Sequence, residues 1–327
     1  VSSVKTADTL ASLGENEALR RIFPLLPESR STILGPGDDA AIIAAPDGRF
    51  VVTTDMMIHG PDFRLAWSEA GDLGWKAAAS NLSDVAAMGA VPTALVVALA
   101  VPAETPVSFL EGIADGLRQA CEALAPGCGV VGGDLSVSTT MTIAVTAFGD
   151  LEGRDAVTRS GAQVGDVIAV SGVLGEAAAA LHLLFAEGID AAGHPDSQRA
   201  AALRDRTGPQ LRPSPPIADG PAAAQAGATS MLDLSDGLAK DAARIAVASE
   251  VTFDLFSLAL GADPLTAFHG GEDHSLLATF PEGAELPGGF RSIGVVLPAG
   301  KHPVLLDGTA VDAGGWDPYR GWSGALG

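Results

Sequence analysis

Lysine, cysteine and aromatic residues are all scarce in this chain, and each shortage excludes something. Only four of the 327 residues are lysine (Lys5, Lys76, Lys240 and Lys301), against 40 aspartates and glutamates, for a formal net charge of −21. So acidic a chain repels nucleic acid and anionic membrane surfaces, and neither is an expected partner. Any phosphate it binds must be held by metal ions, arginine, backbone N–H groups and helix N-termini. The two cysteines, Cys121 and Cys128, form no zinc pattern and suit a reducing compartment. No apolar run reaches the length of a membrane span. The longest, Thr93 to Val101, is strand length and is bracketed by Pro92 and Pro102. No signal peptide is apparent, so the expected location is cytoplasmic. With aromatics at 5%, the core is expected to consist of Val, Leu, Ile and Ala. There is also no Gly-x-x-x-x-Gly-Lys-Ser/Thr, no dinucleotide fingerprint after a first strand and no nucleophile elbow.

What the chain does have is aspartate at the margins of short apolar runs. Gly37-Asp38-Asp39 precedes Ala40 to Ile43, and Asp55 follows Val51-Val52-Thr53-Thr54. Asp134 follows Val130-Val131-Gly132-Gly133, and Asp233 and Asp236 flank Leu234-Ser235. A single such Asp is ordinarily a turn or cap residue. Several at strand margins can converge, and converging carboxylates raise one another's pKa unless cations neutralise them. Oxygen ligands without His or Cys point to Mg²⁺.

Apolar spacing predicts helices over 15–26, 71–88, 107–124, 176–186 and 238–248, with strands at 50–54, 95–99, 129–131, 141–148, 167–170, 231–234 and 251–255. On the second helix Lys76, Ser80 and Asp84 are spaced four apart and share a face, with Asn81 beside them. Residues 1–13 are expected to be loose, and Pro209 to Pro221 to be a connector. A polar, Gly-rich shift over 150–165 marks a boundary between residues 1–150 and 151–327. The alternation of strands and helices gives a mixed α/β (α+β) class in two domains. An acid-rich, lysine-poor site with glycines at strand ends suits phosphoryl transfer assisted by several Mg²⁺ ions. Gly132-Gly133 is either a tight turn or a place where phosphate approaches the backbone. Ser235-Asp236-Gly237 is either an N-cap or an anion site.

In combination these stretches resemble the thiamine-monophosphate kinase family. The resemblance rests on Gly37 to Ala41, Thr53 to Asp55, Asn81 to Ala90, Gly132 to Asp134 and Thr158 to Gly161. It extends to Leu211 to Pro215, Asp233 to Leu238 and Gly270 to Asp273. It implies the two-domain fold of the aminoimidazole ribonucleotide synthetase-like superfamily, a homodimer formed through the N-terminal sheet, and ATP and metals in a cleft. By position, Asp39, Thr53, Thr54, Asp55, Asp84, Asp134, Asp233 and Asp236 would hold Mg²⁺, and Gly133, Asp134, Arg159 and Ser235 would contact ATP. Glu272 and Trp322 or Tyr319 would hold the thiamine moiety of thiamine monophosphate. Asp62 stands where relatives carry a substrate-contacting His, and the stretch from Leu255 to Gly270 is shorter than is common. Within the superfamily the selenophosphate enzyme would need a reactive Cys near the N-terminus, and none precedes Cys121. The hydrogenase-maturation protein ends in a functional Cys, whereas the sequence here ends Gly324-Ala325-Leu326-Gly327. Aminoimidazole ribonucleotide synthetase, or a catalytically dead nucleotide- and Mg²⁺-binding protein, are the alternatives. No general base is expected.

Overall fold

Residues 8–35, 41–312 and 314 are described by the structure, a computed structural model. The chain opens with short helices α1 (Leu10–Leu13) and α2 (Glu15–Ile22) and a small antiparallel ladder of β1 (Thr32–Leu34) and β2 (Ile42–Ile43). From Thr9 onward the expected loose segment is instead ordered. The Thr9 hydroxyl accepts the Ser12 N–H, the Ser12 side chain accepts the Thr9 N–H, and Leu10 is buried. This capping box satisfies donors that so short a helix would leave free.

Next come β3 (Val51–Ile58), α3 (Ala70–Ala87), β4 (Val91–Val101), α4 (Val107–Leu124), β5 (Gly129–Val137) and β6 (Thr142–Asp150). They form a four-stranded sheet in the order β3-β6-β4-β5, parallel only between β4 and β5. Strand β6 shows the period-2 pattern that follows: Ile143, Val145 and Ala147 are buried, and Ala144, Thr146 and Phe148 between them are less so. The buried face packs under α3 and α4. The other face is open, and on it Val52 and Met56 are 59% and 58% exposed. Helices α3 and α4 touch through glycine. A Cβ on Gly74 would lie 2.0 Å from the Ile113 carbonyl oxygen, and one on Gly116 would lie 2.1 Å from that of Gly71.

The second half runs β7 (Val167–Ser171), α5 (Glu176–Glu187), α6 (Ser197–Ala202), α7 (Arg204–Leu211), α8 (Asp219–Gln225), β8 (Ser230–Leu234) and α9 (Leu238–Ala248). It continues with β9 (Val251–Leu255), α10 (Pro264–His269), β10 (Ser275–Phe280), β11 (Arg291–Pro298), β12 (Val304–Leu306) and β13 (Thr309–Ala310). Its seven-stranded sheet has the order β13-β12-β9-β11-β7-β10-β8. Strands β8 and β10 are buried at every residue. Helix α9 covers one face of this sheet, and α8 with Ala87 from the end of α3 packs against the other. The proline-rich stretch is partly helical rather than a plain connector. Pro209 lies in the last turn of α7, at the cost of one backbone hydrogen bond, and Pro221 lies in α8. The short stretch after Leu255 folds as a 3₁₀ turn (Ser257–Leu260) followed by α10.

The two halves are joined on α3. Asp72, buried, accepts from Arg204 (2.5 Å) and Arg212 (2.6 Å), and Trp75 Nε1 donates to the Pro213 carbonyl (2.7 Å). Burial would raise the Asp72 carboxyl, but the two guanidiniums outweigh it and hold it below the ordinary value.

Candidate active site

Helix α3 lies between β3 on one side and β8 on the other, and this brings distant acids together. Thr53 Oγ1 donates to Asp84 Oδ2 (2.8 Å), and the Asp55 N–H donates to Asn81 Oδ1 (3.1 Å). Ser83 Oγ donates to Asp233 Oδ2 (3.1 Å), and His274 Nδ1 lies 3.2 Å from the same oxygen. Burial, followed by the charges of Asp233 and Asp55, pushes the Asp84 carboxyl up to about 7. Asp55 is raised by burial and then by Asp233. For Asp233 burial works in the same direction, but the His274 bond and charge, helped by Ser83, hold it below the ordinary value. His274 is raised in turn: burial would lower it, but Asp233 outweighs that.

Carboxylates that repel one another in this way favour a cation between them. The hard oxygen donors of Asp55, Asp84 and Asp233 fit Mg²⁺. Among the described residues, no three His, Cys, Asp or Glu side chains are grouped closely enough to enclose a metal unaided. Phosphate oxygens and water would complete the shell, as is usual for Mg²⁺. A cavity of about 720 Å³ opens onto this cluster, lined by Thr53, Asp84, Arg159 and Asp233.

A second cavity, of about 740 Å³, lies toward the start of α3, with Lys76, Gln210 and Glu272 on its polar wall and Trp67 and Phe185 on its apolar wall. Lys76 Nζ is 3.2 Å from Glu272 Oε2, and Gln210 Nε2 donates to the same oxygen. Burial would raise Glu272, but Lys76 first, then Gln210 and His274, hold it below the ordinary value. Glu272 and His274 both have left-handed backbones (φ 66° and 54°). Their N–H groups donate to the Ser235 (2.9 Å) and Leu234 (3.0 Å) carbonyls. Two such non-glycine residues cost about 1–3 kcal/mol each, a strain that concentrates at functional sites. Arg64 stacks 4.8 Å from the Trp67 ring centroid and 4.9 Å from that of Phe185.

Of the residues singled out in the sequence, Thr53, Asp55, Asp84 and Asp233 meet, and Arg159 lines their cavity. Asp236 is already paired with Arg244 (2.5 Å) and Lys240 (2.9 Å). Ser235 offers its carbonyl to the Glu272 N–H. Asp62 lines the second cavity, but its Oδ2 accepts the Ile58 N–H (2.7 Å). Thr54 and Asp134 lie on the open face of the four-stranded sheet. Thr54 bonds Thr146 there (3.1 Å), and Asp134 sits in one row with Ala98, Ala144 and Met56. Asp134 is on the far edge strand from Asp55, three strand spacings or about 14 Å away. Gly132-Gly133 is mid-strand, not a turn. A Cβ on Gly133 would lie 2.0 Å from the Val97 carbonyl oxygen, whereas Gly132 faces open space. Asp39, Tyr319 and Trp322 lie outside the described residues. The sequence reading assigned no role to His274, Ser83 or Gln210. Each adjoins a stretch it did single out: Gly270 to Asp273, Asp84 and Leu211 to Pro215 respectively.

Residues 37–151 match the family described as AIR synthase related protein, N-terminal domain. The hydrogenase maturation protein HypE has the same fold (TM-score 0.61, 22% identity, 88% of this chain and 89% of that one). This is therefore an AIR synthase-type α/β protein. Across nearly its whole length it is also similar to narrower relatives. The thiamine-monophosphate kinase of Mycobacterium tuberculosis is 44% identical over 329 residues, 96% of this chain and 92% of the relative. The crystal structure of thiamine-monophosphate kinase from Stenotrophomonas maltophilia superposes with a TM-score of 0.76 at 31% identity, covering 90% of this chain and 97% of that one. AaThiL complexed with AMPPCP and TMP gives 0.70 at 31% identity, covering 85% and 90%. The chain belongs to the thiamine-monophosphate kinase family.

Proposed function

We propose that this chain transfers the γ-phosphoryl group of ATP directly to the phosphate of thiamine monophosphate, giving ADP and thiamine diphosphate. The observation that carries this reading is that one helix, α3, serves both cavities, with Asp84 at the acid cluster and Lys76 at the Glu272 wall. ATP would occupy the first cavity, with Arg159 beside its phosphates, and the acceptor the second, its cationic ring near Glu272. Asp55, Asp84 and Asp233 would hold Mg²⁺, which supplies charge neutralisation between the two phosphates. A phosphate monoester has a second pKa of about 6, so the attacking oxygen is already ionised at neutral pH. No general base is then needed, in keeping with a His274 that is buried and occupied by Asp233. The work of the protein is alignment and electrostatics. In this reading residues 1–150 form the dimerising, metal-binding half and 151–327 the other, in a cytoplasmic enzyme.

The test is ADP release with ATP and Mg²⁺. Release with thiamine monophosphate but not with thiamine supports the kinase, and none with either makes the site a dead nucleotide-binding one. Glu272→Gln is expected to raise KM for the acceptor about tenfold or more with KM for ATP little changed. Equal shifts in both would remove Glu272 from the acceptor site.

The open sheet face with Val52, Met56 and Asp134 supports a homodimer packed face to face. In such a pair, with the β5 edge of one sheet set against the β3 edge of the other, Asp134 would reach the neighbouring copy's acid cluster rather than its own. Mixing Asp55→Asn chains with Asp134→Asn chains, each inactive alone, is then expected to restore about a quarter of normal activity through mixed dimers. No recovery would place Asp134 in its own chain's site or outside catalysis.

A further inference from the structure

Among the described residues Lys76 is the one lysine on the walls of either cavity, and it is 7% exposed. Its ammonium has three N–H donors, and among the described residues a single partner is assigned to it, Glu272 Oε2 at 3.2 Å. Gln210 holds that same carboxylate oxygen, so Glu272 stays in place without Lys76. Along α3, Lys76 is eight residues, about 12 Å, from Asp84, on the same face. Nζ therefore lies at the wall of the second cavity, on the helix face that runs to the acid cluster.

Resting on the acceptor reading above, we infer that the Lys76–Glu272 ion pair stands in for the charges of a zwitterionic acceptor. When the acceptor binds, Glu272 takes its cationic ring, and Lys76 Nζ moves to its phosphate. Lys76 is thus the residue that selects a phosphorylated acceptor. The selection comes from what is left behind. Thiamine, a cation without a phosphate, would take Glu272 and strand Lys76 buried and unpaired, which is costly. A purely anionic ligand would strand Glu272 in the same way. Only a ligand carrying both charges satisfies both residues.

The experiment is calorimetric titration of the full chain, with Mg²⁺ present, by thiamine monophosphate and separately by thiamine. For Lys76→Met, affinity for the monophosphate is expected to fall about 10- to 100-fold, the value of a charge-assisted hydrogen bond. Affinity for thiamine is expected to hold or rise, because the stranded charge is gone. A merely structural lysine would weaken both together, and an unchanged ratio of the two affinities overturns the inference. If Lys76→Met does not fold, Lys76→Arg decides. It keeps the charge but relocates the donors, so the monophosphate affinity should shift while that of thiamine stays, and equal shifts count against the proposal. Failure of the wild-type chain to bind thiamine monophosphate would instead sink the acceptor reading itself.

Discussion

Asp84→Asn is expected to lower phosphoryl transfer by roughly 10³-fold or more, since it removes one of the few anions that can hold a cation between two phosphates. The fold should survive, because Thr53 Oγ1 can donate to the Asn Oδ1 as it does to Asp84 Oδ2. The ion-free protein should become more stable at pH 8, not less. The Asp84 carboxyl titrates at about 7 in the folded chain, pushed up by burial and by Asp233 and Asp55, against about 4 in an unfolded chain. A raised carboxyl binds its proton more tightly folded than unfolded, so its contribution to stability grows as pH falls from 8 through 7 and levels off near 4. Between pH 8 and pH 6 that is on the order of 1 kcal/mol in favour of the lower pH. Thermal melts at the two pH values, without divalent ions, should show a larger difference in the wild-type chain than in Asp84→Asn, which keeps the contribution of the raised His274. Saturating Mg²⁺ should raise the wild-type melting temperature at pH 8 and do much less for the variant. Undiminished turnover, or an equal pH difference in both proteins, would remove Asp84 from the role given to it.

Gly116→Ala is expected to destabilise the chain by about 3 kcal/mol or more, a large share of a domain's net stability. The added Cβ would stand 2.1 Å from the Gly71 carbonyl oxygen and 2.8 Å from its carbon. Those are backbone atoms of a neighbouring helix, so no side chain can rotate to make room. Gly74→Ala meets the same obstacle from the other side, 2.0 Å from the Ile113 carbonyl oxygen. Gly208→Ala is the control. Gly208 lies in α7 with nothing within 4 Å of its Cβ position, so alanine there should be neutral or stabilising by up to about 1 kcal/mol. Urea unfolding of the three variants separates the two outcomes. A Gly116→Ala chain as stable as Gly208→Ala would mean that α3 and α4 can part cheaply. The contact matters to function because α3 carries Lys76, Asn81, Ser83 and Asp84. A helix pushed off α4 would carry Lys76 away from Glu272 and Asp84 and Ser83 away from Thr53 and Asp233.

The features legible in the sequence are those set by short-range periodicity. Helix α9 spans the predicted residues 238–248. The four-residue spacing of Lys76, Ser80 and Asp84 puts them on one face whatever surrounds the helix. The strands were legible only in part. Asp55, Asp134 and Asp233 read as strand margins, but they lie inside β3, β5 and β8. Polar residues at mid-strand break the apolar run from which a strand is recognised.

Which acids meet is a different kind of question. Thr53 and Thr54 are neighbours of nearly identical chemistry, yet one bonds Asp84 and the other faces away across the sheet. That division follows from which face α3 covers, and the separation of Asp134 from Asp55 follows from the strand order β3-β6-β4-β5. The pairings of Asp233 with Ser83 and of Glu272 with Lys76 join residues 150 and 196 positions apart in the chain. Spacing along the chain carries helical and strand periodicity because those depend on a few adjacent peptide units. The cradle of acids depends on sheet order and helix docking, and only the folded chain decides those.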